Sequence, residues 1–207
     1  MIILIVAITI ILLALIIYFG IYKNKYMLPK QVIFIRHAEK PAVGVNLSAT
    51  GYTHAACWTE YFTKRRPDDV NKPQAIYAME EHTKKTSNRA FETVTGLAEA
   101  LDIPINNSFT KKEVTKLNKN IIENHKGDTV LVCWEHSTIP SIVEDLLSYV
   151  PVDSSHIHVR SWGPDPLAKK NDGSDFSSVW VLDLVGTPQL HVLKGCDVNA
   201  DGECIFY

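Results

Sequence analysis

The sequence predicts an α/β three-layer sandwich: a mostly parallel central sheet with helices on both faces and an antiparallel edge. Three observations carry this. The runs 31–36, 74–79 and 128–134 are continuously apolar between polar end residues, as strands buried on both faces must be. The segments between them place apolar residues at helical spacing. After residue 149 the alternation stops, and Ser178–Val185 and Gln189–Leu193 read as two strands joined by Gly186-Thr187-Pro188 as a hairpin turn. A chain of 207 residues is long enough for one such domain with a substantial core.

The first segment, Met1–Tyr22, is apolar and carries no charged side chain. About 20 apolar residues span a bilayer as a helix, and no basic residue or small-x-small cleavage site marks a removable leader. Residues 1–22 are expected to form a transmembrane anchor, 23–30 a juxtamembrane linker, and 31–207 the folded domain. Lys23, Lys25 and Lys30 follow the apolar run, which predicts a cytoplasmic domain by the positive-inside rule. They are three of the 21 basic residues, leaving 18 against 23 acidic ones in the domain. Such an acidic balance gives no support for nucleic-acid binding.

Ser48 or Thr50 caps a helix running through Ala55, Ala56, Trp58, Tyr61 and Phe62, and Arg65-Arg66-Pro67-Asp68 ends it. Ser87-Asn88 opens a second, with Ala90, Val94, Leu97, Ala98 and Leu101 on one face. Ile103-Pro104-Ile105 reads as a short extended piece. Thr110-Lys111-Lys112-Glu113 has capping-box form and starts a third helix, through Val114, Leu117, Ile121 and Ile122. Residues 138–149 form a fourth, with a proline in its first turn. Residues 150–176, rich in Pro, Gly and Ser, read as a long loop.

Cys57 and Cys133 lie in apolar stretches and are expected to be buried thiols. Cys196 and Cys204 bracket a tight loop and could pair if the domain were in an oxidising compartment. Asn46-Leu47-Ser48 and Asn106-Asn107-Ser108 have the form of glycosylation acceptors. A glycan at Asn46 would crowd the Arg36-His37 turn, which favours the cytoplasmic side. Asp197–Gly202 reads as a turn, and His156-Ile157-His158 as solvated loop without a third metal ligand. His54, His82, His125 and His191 read as surface or cap residues, and His82 as one able to line a substrate mouth. Trp162 and Trp180 read as packing residues.

Three polar clusters directly follow buried strands: Arg36-His37, Ser87-Asn88-Arg89 and Glu135-His136-Ser137. If the strands are parallel neighbours, all three converge at the carboxyl edge of the sheet, where open α/β sheets bind ligands. Two arginines, two histidines and a helix N-terminus would then share one pocket. Arginine forks and a helix N-terminus suit phosphate oxygens, and the chain has no Gly-x-Ser-x-Gly elbow for acyl transfer.

These clusters also carry a family resemblance. Phe34-Ile35-Arg36-His37-Ala38-Glu39-Lys40-Pro41 resembles the Arg-His signature of the histidine phosphatase (phosphoglycerate mutase-like) superfamily, in its His-Ala-Glu-Lys-Pro variant. Leu47-Ser48-Ala49-Thr50-Gly51-Tyr52 resembles the family's Leu-Ser/Thr-x-x-Gly helix start. Ser87-Asn88-Arg89-Ala90-Phe91-Glu92-Thr93 resembles its Ser-x-Arg-Ala-x-x-Thr element, and Val130–His136 resembles the strand that delivers a second histidine. The resemblance spans residues 31 to about 185, in order.

The resemblance implies a phosphoglycerate mutase-like fold and a metal-independent phosphomonoesterase. In it His37 is the nucleophile that becomes a phosphohistidine, and Arg36 and Arg89 clamp the phosphoryl oxygens. His136 donates to the same group, and a carboxylic acid moves the leaving-group proton. Glu113 sits where the family often carries that acid, although its capping-box role competes; Glu135, Glu80 and Glu81 are the rivals. Glu135 stands where a glycine is usual. No cofactor or metal is implied, because the arginines supply the positive charge. The partners implied are a phosphorylated small molecule or phosphoprotein, and a membrane through residues 1–22. A catalytically inactive phospholigand-binding scaffold is the reading from another class. A phosphoglycerate mutase-type phosphotransferase is less favoured, because the domain lacks the extra length of mutases.

Overall fold

The computed structural model describes residues 10–13, 15, 18, 28–80 and 87–207. Its centre is a six-stranded sheet in the order β3-β2-β4-β1-β5-β6. The strands are β1 Gln31–Arg36, β2 Ala75–Met79, β3 Ile105–Phe109, β4 Thr129–Trp134, β5 Ser178–Asp183 and β6 Gln189–Lys194. The first four run parallel; β5 pairs antiparallel with β1, and β6 antiparallel with β5. Every residue of β1, β2 and β4 is buried, which is why their sequences show no alternation.

The helices are α1 Ala49–Glu60, α2 Arg89–Leu101, α3 Val114–Asn124 and α4 Ile139–Leu147. The crossovers through α1 and α2 step one way across the sheet, and the crossover through α3 steps back. Right-handed crossovers then put α1 and α2 together on one face and α3 on the other; α1 packs on α2, and α4 on α3. Ser48 caps α1, its Oγ accepting from the Gly51 amide at 3.0 Å. A single π turn, Tyr61–Arg65, ends that helix. Trp58, Trp134, Trp162 and Trp180 are all fully buried. The Trp162 and Trp180 rings stack at 5.1 Å within the core.

Several expectations need correction. The extended piece at 103–105 leads into β3, an edge strand running from Ile105 to Phe109. Its Ile-Asn-Asn-Ser-Phe sequence is too polar to announce a strand. Beyond β6 the chain forms a small hairpin, β7 Cys196–Val198 with β8 Cys204–Phe206; of the turn expected at Asp197–Gly202, Asp197 and Val198 belong to β7 and Asn199–Gly202 make the turn. Gly195 leads into it, because a Cβ there would stand 2.6 Å from Trp58 Cζ3 and 2.7 Å from Val179 Cγ2. Cys204 pairs with Cys57 of α1 rather than with Cys196, while Cys196 and Cys133 are free and buried. The disulfide pins the C-terminal hairpin to α1. Because disulfides persist in oxidising compartments, it weighs against the cytoplasmic placement that the lysines suggest. His54 is not a surface residue: it is fully buried between α1 and the hairpin. The expected anchor at 1–22 lies largely outside the described residues, as does His82. Among the described residues no helix is long and apolar enough to cross a membrane.

Candidate active site

The carboxyl ends of β1 and β4 meet in register, Arg36 opposite Trp134, with β2 on the far side of β4. The His37 amide donates to the Trp134 carbonyl at 3.0 Å, continuing the ladder one residue beyond the strand. Glu135 and His136 therefore emerge beside the Arg36-His37 turn. Arg89 arrives from the first position of α2, beyond β2. Thr93, one turn later and fully buried, ties helix to turn: its Oγ1 accepts from the Ala38 amide at 2.9 Å and donates to the Arg89 carbonyl at 2.7 Å. The Glu39 carbonyl accepts from the Ser48 amide at 2.9 Å, closing the loop from the turn to α1. Gly51 is required at this approach, because a Cβ would lie 2.4 Å from that same carbonyl oxygen.

His37 is 4% exposed. Its Nδ1 lies 2.8 Å from the Ala38 carbonyl oxygen. A carbonyl can only accept, so Nδ1 carries the proton and Nε2 keeps its lone pair. Burial pushes the ring down to about 4, the Ala38 carbonyl opposes, and the charges of Arg36, Arg89 and His136 lower it further. The ring is thus a neutral imidazole with one committed donor, an arrangement fit for nucleophilic attack through Nε2.

Arg36 is 3% exposed. Its Nη1 donates to the carbonyls of Gly173 at 2.8 Å and Asp175 at 3.1 Å, and its guanidinium lies 3.8 Å above the Phe176 ring. Burial lowers its pKa to about 10, opposed first by Asp175 and then by Glu135. The end of the 150–176 loop therefore forms one wall of the site, with the Asp175 carbonyl also held by Trp162 Nε1 at 3.1 Å. Arg89 is half-buried and hydrogen-bonded through Nε to Ser87 Oγ. Burial lowers its pKa too, against the charges of Glu135 and Glu92. His136 is lowered first by burial and then by Arg36, with Glu135 opposing and Lys111 and Lys40 adding to the fall. Two buried nitrogens of this group, Arg36 Nε and His136 Nδ1, have no hydrogen-bond partner among the described residues. A buried donor is costly when unpaired, and an oxygen of a bound anion would satisfy Arg36 Nε.

The carboxylates divide by position. Glu113 accepts from the Thr110 amide at 3.1 Å and hydroxyl at 2.9 Å, and pairs with Lys116 at 2.7 Å. Those contacts, Lys116 first, hold it near 2, and none of them involves Arg36, His37, Arg89 or His136. Glu135 acts electrostatically on Arg36, Arg89 and His136. Burial would raise it, but Lys111 and Ser137 bring it below the ordinary carboxylate value. Glu80 follows β2 and is half-buried, while Glu81 lies outside the described residues. Glu39, His54 and Asp197 bring their side-chain N and O atoms within 4.8 Å of one another. Within this group His54 Nδ1 lies 2.9 Å from Glu39 Oε1, a hydrogen bond, and the Asp197 carboxylate accepts from the Val198 amide at 2.8 Å. Sequence reasoning missed Thr93, Gly173, Asp175 and Phe176. Of these only Thr93 left a signal, as the last residue of the Ser-x-Arg-Ala-x-x-Thr element.

No family model and no curated relative matches the sequence. Solved structures do. The chain is similar to a structure assigned to the phosphohistidine phosphatase SixA of Agrobacterium tumefaciens, with TM-score 0.50 and 16% identity, over 80% of this chain and 98% of that one. It is also similar to the phosphoserine phosphatase of Entamoeba histolytica in complex with 3-phosphoglyceric acid (TM-score 0.45, 14% identity, 80% and 96% covered). A third, a structure assigned to an α-ribazole-5'-P phosphatase of Escherichia coli, gives TM-score 0.44 and 12% identity, with 81% and 97% covered. The order of the strands, the Arg36-His37 turn at the end of β1 and the similarity to the Agrobacterium structure agree: the chain has the histidine phosphatase, or phosphoglycerate mutase-like, fold.

Proposed function

We propose that the protein is a phosphomonoesterase working through a phosphohistidine on His37, and that residues 1–22 anchor it to a membrane. The observation that carries the chemistry is the His37 ring, neutral, fixed at Nδ1 by the Ala38 carbonyl, and set among Arg36, Arg89 and His136. In the first step Nε2 forms a bond to phosphorus as the bond to the leaving oxygen breaks. Arg36, Arg89 and His136 receive the charge that develops on the phosphoryl oxygens. We assign the proton transfers to Glu135, which acts on all three of those residues, and leave Glu113 to hold the Thr110 turn and Lys116 at the start of α3. A bound phosphoryl dianion raises a neighbouring carboxylate, so Glu135 takes up a proton on binding and passes it to the leaving oxygen. In the second step Glu135 takes a proton from water, the hydroxyl adds to phosphorus, the P–N bond breaks, and neutral His37 returns with inorganic phosphate.

The test is phosphate release from an aryl phosphate by the full chain, with and without a chelator, beside His37→Ala. Turnover that survives the chelator and vanishes in the variant is expected. Turnover that persists in His37→Ala would sink this assignment of the nucleophile. A folded wild type without turnover on any phosphomonoester would favour the phospholigand-binding reading.

A further inference from the structure

His54 is fully buried, and both of its ring nitrogens face acceptors. Nδ1 lies 2.9 Å from Glu39 Oε1, and Nε2 lies 3.1 Å from the Cys196 carbonyl oxygen. The carbonyl can only accept, so Nε2 must donate; the carboxylate also accepts, so Nδ1 must donate as well. An imidazole with two donors is an imidazolium. The Asp197 carboxylate stands with Glu39 and His54 inside the 4.8 Å group, and the indole of Trp58 stacks on the ring at 5.5 Å, 10° from parallel.

Glu39 lies two residues after His37, in the turn that α1 closes through the Ser48 amide. Cys196 lies on β7, whose partner strand β8 is bound to α1 through Cys57–Cys204. We propose that His54 is a positioning residue for the nucleophile: an imidazolium clamp that ties Glu39 of the His37 turn to the C-terminal hairpin. This rests on the phosphohistidine reading and deepens it. The hairpin, more than 150 residues from the signature in sequence, then belongs to the architecture of the site. Burial would raise the Glu39 carboxyl, but the hydrogen bond and charge of His54 bring it below its ordinary value, in keeping with an ionised pair.

The clamp is tested on the full chain with selectively 15N-labelled histidine, together with His54→Gln, Glu39→Gln and Glu39→Ala. In the wild type at neutral pH, both nitrogens of His54 should carry the shifts of protonated imidazolium. Glutamine at 39 can donate to a neutral Nδ1. Glu39→Gln should therefore turn His54 into the neutral tautomer, leave the His37 ring signals in place and keep kcat close to wild type. Glu39→Ala and His54→Gln should displace the His37 signals and lower kcat by about 100-fold, the usual effect of ångström-scale misplacement, with KM little changed. A neutral His54 in the wild type would overturn the proposal. So would unmoved His37 signals in a folded Glu39→Ala, or a stoichiometric metal ion that disappears with His54→Gln. If the wild type turns over no phosphomonoester, the phosphatase reading falls, while the two NMR comparisons still decide the clamp.

Discussion

Lowering the pH should destabilise this protein through His37 specifically, and the size of the effect follows from its environment. The ring is held near 4 in the folded chain, chiefly by burial, against an ordinary value near 6.5 in the unfolded one. The unfolded state therefore binds more protons in this interval. The stability contributed by keeping His37 neutral is complete above about pH 6.5 and is lost as pH falls toward about 4. Linkage with these two values gives a loss of ~2 kcal/mol near pH 5 and ~3 kcal/mol near pH 4. Other groups titrate over the same range, so the comparison is wild type against His37→Ala. The variant loses packing at every pH but lacks this titration. Urea unfolding of both, at neutral pH and at pH 5, isolates the difference. The gap in stability between them should shift by ~2 kcal/mol, with the wild type losing ground on acidification. A gap independent of pH would show that His37 titrates alike in folded and unfolded chains, and the argument for a buried, pre-neutralised nucleophile would fail.

Three further outcomes are expected. Gly51→Ala would ordinarily strengthen a helix by about 1 kcal/mol. Here the new Cβ meets the Glu39 carbonyl at 2.4 Å, so urea unfolding should show a net loss of about 1–3 kcal/mol, accompanied by reduced turnover. Phe176→Ala removes the ring beneath Arg36, and a calorimetric titration with inorganic phosphate should show binding weakened by about 1 kcal/mol. Unchanged affinity would remove Phe176 from the site. Glu135→Gln should depress kcat by about 10²-fold or more, most of all for phosphomonoesters with poor leaving groups, whereas Glu113→Gln should leave kcat unaltered. The reverse pattern would return the proton transfers to Glu113.

The parts of the fold that were legible in the sequence are those whose periodicity is set by burial. β1, β2 and β4 are buried along their whole length, and only near-continuous apolar runs satisfy that. β3 is legible only as a fragment, because an edge strand of Ile-Asn-Asn-Ser-Phe neither alternates cleanly nor uses strand-favouring residues throughout. The β7–β8 hairpin, two strands of three residues, is too short to show any period. The Cys57–Cys204 pairing, at a separation of 147 residues, is decided by the packing of the hairpin on α1 and has no local signature. The same packing buries His54, whose neighbours in sequence gave no hint that a carboxylate and a carbonyl awaited it.

At the site, Arg36, His37, Arg89 and His136 were legible because each follows directly from a strand end or a helix start. Gly173, Asp175 and Phe176 were not, because they come from a loop without periodicity whose path is fixed by contacts with Arg36 and Trp162. The carboxylate was the hardest role to read. The capping box of Glu113 and the strand-end position of Glu135 are equally plain in sequence, and our proposal of Glu135 rests on its electrostatic surroundings alone.

The central claim is a covalent bond between phosphorus and His37, and trapping it is the most direct measurement. The full chain, mixed with a 32P-labelled phosphomonoester and quenched in alkali within milliseconds, should carry a label that is stable to base and lost in acid. Peptide mapping should place that label on His37, and it should be missing from His37→Ala. Steady phosphate release with no labelled protein at any quench time, or a label on another residue, would contradict the account.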